Sequence, residues 1–194
     1  IVFAIDQSGE AIEGWPFRDH GISIMIPDND GGFWFWSEGN SFYRVGSNGR
    51  IIGGRPLVLE PPEGGYRIMR HRDVPFHDGV QIGTDYIFAV WTNGISEPTI
   101  VGVYNFAGEL QRFDTLIPAY NNEEANWLSM KHFVTSDNRL VAVYNHIDNW
   151  WTDGDGGWVE EPMYAPRVIC YAPFEENRFP FSRNGRITVG DIDF

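Results

Sequence analysis

Apolar and polar residues alternate along much of this chain with a period of two, and turn-forming residues break the alternation at short intervals. FWFWSEG (33–39), YIFAVWTNG (86–94) and LVAVYNHID (140–148) each run as an apolar strand into a turn. A second strand follows each: SFYRVGSNGR (41–50), TIVGVYNFAGELQRF (99–113) and RVICYAPFEENRF (167–179). This periodicity predicts strands near 21–27, 33–38, 41–46, 86–92, 100–106, 140–145 and 167–172, and almost no helix.

The strand–turn–strand phrase recurs. FAIDQSGEAIEGWPF (3–17) and FYRVGSNGRIIGGRPL (42–57) align so that Gly9, Ile12, Gly14 and Pro16 fall on Gly49, Ile52, Gly54 and Pro56. An inner strand precedes each pair: GISIMIPD (21–28), RIMRH (67–71) and LSMKH (128–132), the last two sharing a Met-basic-His ending. Four short antiparallel strands in roughly fifty residues, repeated without helices, predict an all-β fold of β-propeller blades. Part-blades are expected at 1–17 and 183–194, with blades at about 18–60, 61–120 and 121–182. Joining the two ends would close a four-bladed ring; otherwise the chain is a fragment of a larger propeller. Open blade edges attract other strands, so pairing is expected across the termini, with another chain, or with the rest of a longer parent chain. The chain opens inside a strand, as a mature or excised piece of a longer product would.

Aromatics make up 15% of the residues, with 22 Gly and 12 Pro, a mixture that suits strands and tight turns. The formal charge of −13 excludes a phosphate backbone as partner, because that requires a basic face. No apolar stretch reaches the length of a membrane span. Cys170 is the only cysteine, so no internal disulfide forms, and its apolar context marks it as a buried small hydrophobe.

GEAIEGWPF (9–17) resembles the outer-strand ending of FG-GAP or VCBS-type propeller repeats of secreted and cell-surface proteins. VGDIDF (189–194) resembles the start of the Asp-rich loop that opens such a blade, and PDNDGGFWFW (27–36) resembles that loop more loosely. The resemblance implies a secreted or cell-surface protein, with Ca2+ held at Asp28, Asp30, Asp191 and Asp193. HDGVQIGTDY (77–86) and TSDNRL (135–140) depart from the calcium-loop spacing.

The segment from Asn145 to Pro166 reads as a long loop rich in aromatic and acidic residues. Trp150, Trp151 and Trp158 offer a stacking platform for sugar rings, beside Glu160 and Glu161 as hydroxyl acceptors, or else a private core for the loop. Asp153-Gly-Asp155-Gly-Gly has the carboxylates and glycines of a Ca2+ site or of a metal-free turn. His71 and His132 end the two matching inner strands. With Arg70 and Lys131 they are candidates for anion binding, metal binding, acid–base work in a lyase or hydrolase, or plain strand packing. No phosphate loop, GxSxG, HExxH or CxxC pair is present. These features together predict an extracellular propeller that binds carbohydrate or a protein surface. A polysaccharide lyase or glycoside hydrolase, and a structural subunit of an extracellular assembly, are the alternatives.

Overall fold

The computed structural model describes residues 2–15, 24–28, 30–36, 40–69, 79–93, 97–117, 130–149, 163–176 and 178. Among them the chain is all-β, without a helix, and its strands form three antiparallel sheets. The first sheet is a meander of β1 (Ile24–Pro27), β2 (Phe33–Trp36), β3 (Ser41–Val45) and β4 (Leu57–Val58). In the second, β7 (Ile87–Thr92) pairs with β8 (Thr99–Tyr104), which pairs with β9 (Leu110–Ile117). The other edge of β7 is shared by two short strands, β5 (Arg67–Ile68) and β6 (Val80–Ile82). The third sheet is β10 (Met130–Val134), β11 (Leu140–Asn149) and β12 (Met163–Tyr171).

One turn recurs along the backbone. Val45 and Tyr104 each end a strand and lead into it: Gly46 N–H donates to Arg50 C=O and Asn105 N–H to Glu109 C=O, at 2.9 and 3.1 Å. After Tyr171 a longer turn is closed where Ala172 N–H donates to Arg178 C=O at 2.7 Å. Residues 2–15 carry a third copy of the shorter turn, in which Asp6 N–H donates to Glu10 C=O at 2.9 Å and Ile5 bridges Ala11. Gly9, Gly49 and Gly108 take φ of +87°, +72° and +85°, a region that a Cβ strongly disfavours. One residue type at one place in the unit therefore has one geometric cause.

Period-two alternation gives every sheet two faces, and the faces interlock in chain order. We call the face toward the preceding unit leading and the other trailing. On the first sheet Phe33, Phe35 and Val45 lead and pack with Val2 and Trp15. Trp34, Trp36 and Phe42 trail and pack with Ile87, Ala89, Trp91 and Tyr104, which lead on the second. Phe88, Val90, Val101 and Val103 trail there and meet Leu140, Ala142, Ile169 and Tyr171, which lead on the third. Burial on both faces explains why β7 and β8 are almost unbroken apolar runs.

Two segments depart from the pattern predicted by the sequence. β5 and β6 are halves of one edge, with residues 70–78 inserted between them. Met69 N–H donates to Val90 C=O, and Val90 N–H to Gly79 C=O, at 2.8 and 2.7 Å. The predicted loop 145–166 is shorter than expected, because both of its ends are strand. Asn145 pairs with Pro166, His146 with Ala165, Ile147 with Tyr164 and Asn149 with Met163, which leaves 150–162 between the strands. Polar residues there hid a ladder that carries on from the apolar pairs below, with a register shift between Ile147 and Asn149.

Candidate functional site

Three places bring chemically capable side chains together or present them. The first is the β1–β2 hairpin, closed where Asp28 N–H donates to Gly32 C=O at 3.0 Å. Here Asp28 and Asp30 lie as the sequence suggests, and both meet Arg44 of β3. Arg44 Nε reaches Asp28 Oδ2 at 2.5 Å and Nη2 reaches Asp30 Oδ2 at 2.6 Å. The guanidinium also sits 5.7 Å from the Trp34 ring centroid, within cation–π range. Its pKa is raised, first by the hydrogen bond to Asp28 and against partial burial. Both carboxylates are thus already engaged by a cation of the chain itself. Among the described residues no group of three or more His, Cys, Asp or Glu side chains is arranged to hold a metal ion.

The second place is β10. Lys131 is exposed, whereas His132 is buried on the leading face, opposite Ala142. In the second sheet the residue opposite Ala89 is Val80. Ala89 and Ala142 each lie two residues beyond the start of the second strand, at Ile87 and Leu140. By its pairing His132 therefore corresponds to Val80 of the second sheet. Arg67 and Ile68 form β5, and residues 70–78 separate it from β6. Arg70 and His71 lie outside the described residues.

The third place is the β11–β12 hairpin. Among the described residues β10 pairs with β11 as far as Tyr144, and the ladder between β11 and β12 runs on from Asn145↔Pro166 to Asn149↔Met163. This hairpin carries the chain into 150–162. Trp150, Trp151, Asp153, Asp155, Trp158, Glu160 and Glu161 fall in that segment, outside the described residues, as do Asp191 and Asp193.

Sequence reasoning missed a polar latch between the second and third sheets. The Tyr171 hydroxyl donates to Asp114 Oδ2 at 2.6 Å, Arg112 Nε reaches the same oxygen at 2.7 Å, and Arg178 Nη1 reaches Oδ1 at 2.7 Å. Tyr104, at the corresponding position of the second sheet, donates its hydroxyl to Glu60 C=O at 2.5 Å. Burial raises the pKa of both phenols, and at Tyr171 the Asp114 carboxylate raises it further. The recurring tyrosine before the turn, in VYNFAG and CYAPFE, was the available signal. Cys170 is buried, and burial pushes its thiol pKa up despite nearby Arg139, the reverse of what a nucleophile needs.

No family model matches the chain, and no curated protein matches it. No helix among the described residues is long and apolar enough to cross a membrane.

Proposed function

We propose that the chain is a section of a β-propeller acting as an extracellular binding module, with carbohydrate as its ligand. The propeller reading is supported by the recurrence of one turn at 6–10, 46–50 and 105–109 and by the leading-to-trailing order of the sheets. The binding reading rests on a single observation, the β11–β12 hairpin, whose ladder continues to Asn149↔Met163. It leads into a segment with three of the eight tryptophans and four carboxylates. Stacking aromatics beside hydroxyl acceptors suit sugar rings better than extended apolar peptides. The hydrolase and lyase readings draw no support from His132, whose ring is buried against the second sheet.

Soluble glycans titrated into the protein test this directly, together with Trp150→Ala, Trp151→Ala and Trp158→Ala. At least one variant is expected to lose affinity several-fold at an unchanged melting temperature, since each stacking contact contributes on the order of 1 kcal/mol. A loss of roughly 3–5 kcal/mol of stability in all three, with binding per folded molecule unchanged, would assign the tryptophans to a core.

A further inference from the structure

The turn at 46–50 carries a chemically reactive pair. Glycine at its fourth position is set by geometry, since Gly49 takes φ of +72°. The residue before it is Asn48, whereas Ser8 and Ala107 hold that place in the turns at 6–10 and 105–109. Asparagine followed by glycine is labile, because no Cβ shields the glycine nitrogen from the asparagine side-chain carbonyl carbon. Attack forms a bond from Gly49 N to Asn48 Cγ and breaks the bond from Cγ to Nδ2. The proton of Gly49 N leaves with that nitrogen as ammonia, and a succinimide remains. Water then adds to one of its two carbonyls and opens the ring, giving aspartate or isoaspartate.

In the fold both reacting groups are already engaged. Gly49 N–H donates to Gly46 C=O at 2.9 Å, so the turn itself holds the proton that must leave. Asn48 Oδ1 accepts from Arg50 N–H at 3.1 Å, which ties the side-chain amide in place. Residues 14 and 15 clamp the turn from outside. Trp15 Nε1–H donates to Ser47 C=O at 3.0 Å, and the Trp15 ring lies 5.8 Å from that of Phe33. A Cβ on Gly14 would collide with the Asn48 carbonyl oxygen, and one on Gly49 with the Gly14 carbonyl oxygen. Two glycines thus let the backbones of 14 and 48–49 lie against each other. Gly49 N has no room to swing toward Cγ until that contact opens.

From this geometry we infer that Asn48 is a latent covalent modification site. It stays intact in the clamped turn and converts to aspartate and isoaspartate when the turn opens, with water as the co-reactant. The conversion adds a negative charge, and isoaspartate also inserts a backbone atom into a turn of fixed length. Because the product does not revert to asparagine, its amount records how often this turn has opened. The inference is independent of the glycan reading, which concerns 150–162.

Peptide mapping by mass spectrometry reads the conversion in the tryptic peptide from Val45 to Arg50, apart from Asn93 and Asn184 elsewhere. Incubation at about pH 8 speeds the reaction while the tyrosines keep their protons. In the urea-unfolded chain Asn48 is expected to convert at least about tenfold faster than in the native chain, because the native rate is scaled by the fraction of open turn. Trp15→Phe keeps a ring beside Phe33 and removes the hydrogen bond to Ser47. It should raise the native rate several-fold, as the loss of one hydrogen bond from the closed state predicts. If circular dichroism shows that variant unfolded, the wild-type chain in urea below its unfolding midpoint replaces it, and conversion should rise with urea. Equal rates in the native and unfolded chains overturn the proposal. So does an unfolded chain in which Asn48 stays intact, or a native rate that neither Trp15→Phe nor mild urea changes.

Discussion

The second and third sheets are both antiparallel and differ in how far their faces are covered. In the second, both faces are buried and nearly every side chain of β7 and β8 is core. In the third, among the described residues, one face is buried, the other is partly open, and the ladder of β11 with β12 runs on past Tyr144. A sheet clamped on both sides tolerates little variation, whereas one clamped on a single side can extend a hairpin without disturbing the packing beneath it.

The contrast is sharpest in truncations. Trp91, fully buried between the first two sheets, should lose about 3–5 kcal/mol of stability as Trp91→Ala in denaturant unfolding. Phe133→Ala, on the open face of the third sheet, should stay within about 1 kcal/mol of the parent. Equal losses would mean that the third sheet is clamped on both sides after all.

Alkaline titration comes next in size. Tyr104 and Tyr171 lie at the two interfaces of the second sheet, and both have pKa values raised in the fold. Their protonated forms are favoured in the native state, so their contribution is fully present below about pH 10, the pKa of an unfolded tyrosine. Above that pH the unfolded chain releases protons that the native chain retains, and stability falls. The expected slope is about 1.4 kcal/mol per pH unit for each tyrosine, read from urea midpoints at successive pH values. Tyr104→Phe and Tyr171→Phe should each remove one share of the slope. A slope unchanged in both variants would assign alkaline unfolding to other groups.

The smallest effect is expected at the hairpin of the first sheet. Arg44→Gln leaves Asp28 and Asp30 without their guanidinium and should cost about 1 kcal/mol, because the exposed Asp30 pair contributes little and the largely buried Asp28 carboxylate loses a partner. Calcium should raise the melting temperature of this variant more than that of the parent, because the metal no longer competes with Arg44. An equal response of the two proteins would separate Asp28 and Asp30 from any calcium effect.

Local features were legible and long-range ones were not. Gly9, Gly49 and Gly108 could be read because a turn of positive φ admits few residues. FWFW, IFAVW and LVAV could be read because burial writes itself into hydrophobicity over a few residues. The pairing of Arg44 with Asp28 and Asp30 joins residues 14–16 positions apart, and that of Tyr171 with Asp114 spans 57. Neither leaves a local pattern. The strand over 145–149 escaped detection because its backbone pairing is independent of side-chain polarity once the register below is set.

The insertion of residues 70–78 between β5 and β6 has a practical consequence. One residue, Val90, holds both of its ends, accepting from Met69 N–H with its carbonyl and donating its own N–H to Gly79 C=O. A Cβ built on Gly79 would lie 2.4 Å from the Met69 carbonyl oxygen, so the two ends of the excursion are nearly touching. A chain that departs and returns at one point can be lengthened cheaply, since doubling a flexible loop costs only about 0.6 kcal/mol in closure entropy. The junction between Met69 and Gly79 is therefore a natural graft point, where an epitope, a reporter peptide or a small foreign domain can be spliced in while the sheet keeps its register.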